Sequence, residues 1–109
     1  MDTQRALLRM LSTVLRLPGM RGRITISELA YKYFPLGNPI VQLNVNGIPV
    51  TLDLSQKELR YIYFGAYERN EVGFLQKWLK PGDVVIDVGA NVGYLSAIMA
   101  GIVGSEGKV

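Results

Sequence analysis

The stretch that decides the fold is residues 81–94, which read PGDVVIDVGANVGY. A proline–glycine turn precedes the apolar run 84–86, and the acid Asp87 follows that run. A glycine-bounded turn at residues 89–93 leads into an apolar stretch, residues 94–102, that is typical of a helix. A strand, a tight glycine turn and a helix in this order predict a nucleotide-type cofactor site, because backbone N–H groups and a helix N-terminus then face the ligand.

Two well-known phosphate motifs do not match this turn. A P-loop requires a lysine after its last glycine, and Tyr94 follows Gly93 here. The dinucleotide fingerprint G-x-G-x-x-G would require glycines where Asn91 and Tyr94 stand. The pattern that remains is D-x-G-x-N-x-G, with Asp87 near the carboxyl end of a strand predicted over residues 83–88. Its apolar run is typical of a parallel strand that is buried on both faces.

Composition limits the chemistry that this chain can perform. The 109 residues suffice for one small domain, and 49% apolar against 19% charged residues indicates a globular core. The chain has no cysteine and no histidine, which excludes disulfides, thiolate nucleophiles and the commonest metal ligand. We therefore expect no metal site, and a reaction that needs neither residue type.

The rest of the chain is predicted from its periodicity and turn signals. Apolar spacing predicts helices over residues 3–17, 26–34 and 68–80, a β-hairpin over residues 40–54, and a last helix that ends near residue 103. Asn46 and Gly47 predict the hairpin turn because both tolerate positive φ. Ser55 and Glu58 predict a capping box that opens a short helix through Phe64. Residues 108–109 are interpreted as the first step of another strand.

The N-terminal part is basic. Residues 1–34 hold six basic side chains against two acidic ones: Arg5, Arg9, Arg16, Arg21, Arg23 and Lys32 against Asp2 and Glu28. Six charges over this length are also an ordinary protein surface, so nucleic acid is not the expected partner. The first helix is amphipathic. It packs on its own domain or on further sequence of the protein, or else it is a membrane-surface or targeting helix. No run approaches the ~20 apolar residues of a membrane span, so we expect a soluble cytoplasmic protein.

The glycine turn resembles motif I of the class I S-adenosylmethionine-dependent methyltransferases, and more closely that of the FkbM type. The segments that precede the turn also follow the order found in FkbM-type sequences. They are residues 50–54, then 63–68, then a helix, then 79–93. The resemblance covers about residues 40–109. It implies an α/β fold, the N-terminal part of a Rossmann-like class I methyltransferase, with S-adenosyl-L-methionine as the methyl donor. Residues 1–35 then form a basic helical arm, and residues 36–109 a hairpin plus the first βα unit of an incomplete cofactor domain.

The resemblance also implies roles for the residues of the turn. Asp87 would face the amino-acid end of the cofactor. Gly89 and Gly93 would let the backbone approach the ligand, and Ala90 would be small for the same reason. Asn91 replaces the middle glycine of the broader class, and its amide would donate or accept a hydrogen bond near the methionine moiety.

Other implications of the resemblance concern positions outside the turn. Glu68 would reach the cofactor from the preceding segment, although a solvated acid at a helix start explains it equally. The acid that holds the ribose lies about 20 residues past the turn, at or beyond Val109. No general base is indicated. FkbM-like enzymes methylate hydroxyl groups, so the expected acceptor is a small molecule or a glycan.

The match to one complete strand–helix unit leads us to expect an N-terminal part of such an enzyme: a truncated reading frame, a gene fragment or half of a split protein. We expect it to be inactive in methyl transfer on its own. Two other classes of function stay open. One is a binding module whose helix and hairpin dock on a complementing second half, and the other is a fragment of a nucleic-acid methyltransferase. The sequence does not indicate an oligomeric state.

Overall fold

The structure, a computed structural model, describes residues 3–67 and 69–109. Within these residues the chain forms five α-helices and one antiparallel hairpin of two strands. The helices are α1 Thr3–Leu15, α2 Arg23–Tyr33, α3 Lys57–Tyr63, α4 Arg69–Trp78 and α5 Tyr94–Val103; the strands are β1 Ile40–Val45 and β2 Ile48–Asp53. The chain divides into two compact units. The first unit comprises the described residues up to Val41 together with Leu52–Tyr67, and the second comprises Gln42–Thr51 and the described residues after Tyr67.

Helices α1, α2 and α3 build the core of the first unit, where α2 packs against both of the others. Leu8 and Leu15 of α1 are buried. The sequence predicts a single apolar side for this helix, but Leu7, Met10 and Val14 lie at the surface. The apolar arc of α1 is therefore wider than the side that the core of this unit covers.

Three arginines of the basic arm bind backbone carbonyl groups of the first unit. Arg5 donates to the carbonyl oxygens of residues 38 and 40, and Arg16 donates to those of residues 62 and 63. Arg23 donates to the carbonyl oxygens of residues 15, 17 and 20. These guanidinium groups help to hold the chain segments around α1 together, which gives much of the basic arm a structural role. The predicted arm of residues 1–35 as a separate domain, and its contact with a membrane surface, stay predictions.

The predicted hairpin is confirmed. Strand β1 and strand β2 flank a turn in which Asn46 has a φ of 53° and Gly47 a φ of 83°. The backbone N–H of Gly47 donates to Oδ1 of Asn44 at 2.8 Å. Two consecutive residues with positive φ match the twist of an antiparallel pair, which is why Asn–Gly is the favoured sequence here.

The predicted capping box of α3 is wrong. The helix begins after Gln56, which makes no side-chain capping bond. Instead, Ser55 donates to Oδ1 of Asp53 through both its hydroxyl group, at 2.7 Å, and its backbone N–H, at 2.9 Å. An aspartate two residues earlier thus takes the hydroxyl group in a local turn and shifts the start of the helix by one residue.

The strand predicted over residues 83–88 is also wrong. In this segment of the second unit, the described residues form an isolated parallel bridge between Val84 and Lys108. Val85 donates its N–H to the carbonyl oxygen of Lys108 at 2.8 Å, and Lys108 donates to that of Asp83 at 3.0 Å. The predicted strand step at residues 108–109 is thus the partner of this bridge. One bridge on one edge does not hold a six-residue parallel strand, which takes its stability from neighbours on both edges.

No helix in the described ranges is long and apolar enough to cross a lipid bilayer.

Candidate functional site

The glycine turn that follows residues 83–88 is held in a left-handed conformation at three positions. Gly89 has a φ of 73°, Asn91 of 55° and Gly93 of 85°. The N–H of Gly93 donates to the carbonyl oxygen of Ala90 at 2.9 Å, which closes the turn. Asparagine is among the few side chains that adopt this conformation readily. The pattern G-x-N-x-G therefore matches the backbone that the turn requires.

Helix α5 starts directly after the turn, with Gly93 as its N-cap. It has no side-chain capping bond and no acidic residue in its first turn. Its N-terminal N–H groups carry partial positive charge and suit an anionic or polar ligand group.

Open space surrounds the two glycines. A Cβ atom added at Gly89 or at Gly93 would meet no heavy atom within 4 Å. Packing within the protein therefore does not explain these glycines, whereas their positive φ does. The same open space leaves room for a ligand against the backbone, so the turn fits the cofactor that the sequence predicts.

Asp87 is half-buried and is linked to the start of α5. Its Oδ2 accepts a hydrogen bond from the hydroxyl group of Ser96 at 2.5 Å. This bond orients the carboxylate beside the turn and leaves its other oxygen for a ligand. Sequence reasoning missed Ser96. The sequence did contain an indication of this bond, because Ser96 is a hydroxyl residue in the first turn of the helix that follows Asp87.

An open cavity of about 520 Å³ lies beside Asp87, between α4, residues 85–87 and α5. Six apolar residues line it: Phe74, Leu75, Val85, Ile86, Leu95 and Met99. The polar residues of its lining are Asn70, Glu71 and Asp87. Sequence reasoning did not find this cavity, because its walls come from two helices and a loop that only folding brings together.

Five of the six predicted cofactor residues lie together already in the sequence, within residues 87–93: Asp87, Gly89, Ala90, Asn91 and Gly93. Gly89, Ala90 and Asn91 are exposed, which leaves them accessible to a ligand. The sixth, Glu68, lies outside the described residues. Across the described ranges, no three His, Cys, Asp or Glu side chains are grouped so that they could hold a metal ion.

Comparison with known families finds a match within the second half of the chain. Residues 66–109 match the family model described as Protein-L-isoaspartate(D-aspartate) O-methyltransferase. The matched range contains α4, the glycine turn and α5, and covers less than half of the chain. Searches of curated proteins and of solved structures find no significant match.

The matched family consists of class I S-adenosylmethionine-dependent methyltransferases, and the match does not support the FkbM type. The arrangement of helices and hairpin is compatible with part of a methyltransferase fold. The family model and the glycine turn together support an S-adenosylmethionine-dependent methyltransferase with S-adenosyl-L-methionine as the methyl donor.

Proposed function

We propose that residues 66–109 bind S-adenosylmethionine in a methyltransferase of the FkbM type, which methylates a hydroxyl group of a sugar, a lipid or a secondary metabolite. The observation that carries the cofactor assignment is the left-handed turn at residues 89–93 ahead of the N-terminus of α5. The FkbM branch is supported by Asn91 at the position where the broader class has its middle glycine.

The residues of the site have separate tasks in this proposal. Gly89 and Gly93 let the backbone approach the cofactor, and Asn91 offers an exposed amide beside it. Asp87, oriented by Ser96, receives the cationic amino group of the cofactor's methionine part. When bound, the cofactor supplies an activated methyl group on a sulfonium, so the protein mainly holds two reactants in line. This chemistry suits a chain without histidine and cysteine.

A second candidate acceptor is a carboxyl group. The family model that matches residues 66–109 is named for methyl transfer to isoaspartate in proteins. On that reading the same cofactor turn serves an ester-forming enzyme that acts on a damaged peptide. A binding titration distinguishes the two, because on this second reading an isoaspartyl peptide would shift the amide resonances of the chain and hydroxyl compounds would not.

The cofactor assignment is tested by titrating the chain with S-adenosylhomocysteine and recording two-dimensional amide NMR spectra. We expect saturable shifts at Gly89, Asn91 and Gly93. The Asp87→Asn variant should bind about tenfold or more weakly, since it removes the negative charge that pairs with the cofactor's cationic amino group. Glu106→Gln removes one exposed acid away from the turn and should leave the affinity unchanged.

A dispersed spectrum that does not respond to the ligand would overturn the proposal. Equal affinities of the Asp87→Asn and Glu106→Gln variants would remove the role given to Asp87.

A further inference from the structure

The cavity beside Asp87 has the size and the walls of a small-molecule site. Its volume of about 520 Å³ falls within the range of roughly 300–1,000 Å³ that is usual for ligand pockets. Met99 lines the cavity from the protein interior, since only 5% of its surface is exposed. Phe74, which is 62% exposed, lies on the solvent side of α4 and borders the cavity.

The charged side chains that line the cavity are acidic. Glu71 and Asp87 contribute two carboxylates and Asn70 contributes an amide, and none of the lining residues that the structure describes is a lysine or an arginine. Carboxylates accept hydrogen bonds and repel anions. An anionic ligand would therefore meet repulsion without a compensating cation, and a hydroxyl or ammonium group would meet an acceptor.

The apolar lining argues against sugars as ligands, just as the carboxylates argue against anions. A sugar carries hydroxyl groups on most of its carbon atoms, and many of them would lose their water against the walls without a partner. A compound with an apolar body and one hydroxyl group avoids this cost, since its body contacts the walls and its hydroxyl group reaches Glu71.

Asp87 joins the cavity to the proposed cofactor turn. It lines the cavity, and its hydrogen bond to Ser96 also places it at the start of α5. A methyl acceptor must lie beside the cofactor, and the cavity satisfies this requirement within the second unit.

We propose that this cavity is the acceptor pocket and that it takes a neutral or cationic hydroxyl compound with an apolar body, not a sugar and not an anion. This inference rests on the proposed methyltransferase function. It narrows the acceptor class to apolar-bodied alcohols, such as those of lipids and many secondary metabolites.

The test is a titration of the full chain with 2-phenylethanol, followed by NMR of the side-chain methyl groups of Leu95 and Met99. D-glucose and phenylacetate serve as the sugar and the anion of similar size. We expect saturable millimolar binding of 2-phenylethanol, as befits so small a ligand. We expect no response to D-glucose at the same concentrations and weaker binding of phenylacetate.

Two pairs of variants locate the binding. Phe74→Ala removes a lining side chain and should weaken 2-phenylethanol binding. Trp78→Ala is the matched control, since Trp78 is an equally exposed aromatic residue of α4, at 61%, that does not line the cavity. Glu71→Gln should strengthen phenylacetate binding about two- to fivefold by removing a repelling charge, and Glu106→Gln should not.

Failure of this inference is separable from failure of the proposed function. If S-adenosylhomocysteine binds but 2-phenylethanol does not, or if Phe74→Ala and Trp78→Ala behave alike, the acceptor pocket is wrong while the cofactor site stands. Equal binding of D-glucose or of phenylacetate would also overturn it. If S-adenosylhomocysteine does not bind to the folded chain, both proposals fall.

Discussion

Single residues with positive φ shape the two turns that the sequence predicts most directly. In the hairpin these residues are Asn46 and Gly47, and in the cofactor turn they are Gly89, Asn91 and Gly93. Asparagine and glycine lower the cost of this conformation, so the residue type alone indicates the backbone. Ser96 is different from these turn residues. The fact that it is a serine does not indicate which carboxylate will accept a hydrogen bond from its hydroxyl group.

One ion pair of the first unit gives stability that depends on pH. Arg60 binds Glu28 through two hydrogen bonds, Nε to Oε1 at 2.8 Å and Nη2 to Oε2 at 3.0 Å. Chiefly through these bonds, the guanidinium group lowers the pKa of Glu28 below its ordinary value. A carboxyl group whose pKa is lower in the folded state stabilises the fold above its ordinary pKa, and this stability is lost as the pH falls through the lowered value.

We therefore predict that the Glu28→Gln substitution flattens the acid limb of the stability curve, which means that the free energy of unfolding depends less steeply on pH in the acidic range. Between about pH 5 and pH 3 the free energy of unfolding of the variant should fall less than that of the parent. The difference should be at most about 1 kcal/mol, because the Glu28 side chain is 38% exposed. Urea unfolding at several pH values measures it.

Glu58→Gln is the control for this prediction, since it removes an exposed carboxyl group from α3. If Glu58→Gln flattens the acid limb as much as Glu28→Gln, then the ion pair is not the cause.

At the scale of elements, local hydrogen bonds separate the helices and the hairpin, which are confirmed, from the strand over residues 83–88, whose prediction is wrong. Helices and the hairpin satisfy their backbone groups within short stretches of chain, so their sequence patterns suffice to predict them. The segment 83–88 carries a strand pattern, but a parallel strand takes its hydrogen bonds from distant residues. Its contact with Lys108 provides a single bridge.

The packing of the hairpin turn on α5 depends on Gly101. A Cβ atom added at Gly101 would lie 2.9 Å from Cβ of Asn46 and closer still to its amide group. We predict that Gly101→Ala destabilises the chain by about 1 kcal/mol or more through overpacking, despite the gain in helix propensity. Thermal unfolding followed by circular dichroism measures the change.

The double variant Gly101→Ala, Asn46→Gly is the matched test. It removes the obstructing side chain and keeps a residue that accepts the positive φ at position 46. We expect it to recover most of the lost stability, and a double variant as unstable as the single one would contradict the proposed contact.

At the scale of the whole molecule, the segment 83–88 exposes large apolar side chains on the surface of the second unit. Val84, Ile86 and Val88 are 74%, 84% and 90% exposed. Of these three, Ile86 also borders the cavity, next to Val85, whereas Val84 and Val88 do not line it. An extended, apolar segment with few hydrogen bonds favours association with other chains.

We predict that Val88→Lys reduces self-association of the chain. A charge at this exposed position should raise several-fold the protein concentration at which light scattering begins, with little change in the unfolding temperature. Val14→Lys changes the net charge equally on α1, where the valine is 41% exposed, and should have a smaller effect. Equal effects of the two variants would assign the association to net charge and not to this surface.

The sequence by itself determined the elements whose physical cause is local: the helices, the Asn–Gly hairpin and the left-handed turn that precedes α5. It also indicated the cofactor class, because glycines and asparagine at fixed spacing report the shape of one short loop. Only the tertiary structure decided that Ser96 donates to Asp87 and that a cavity lies between α4 and α5. It also decided that residues 83–88 form a single bridge and not a strand. Each of these depends on which side chains and segments meet in the folded chain, and the local pattern of any one segment does not give the free energy of such contacts.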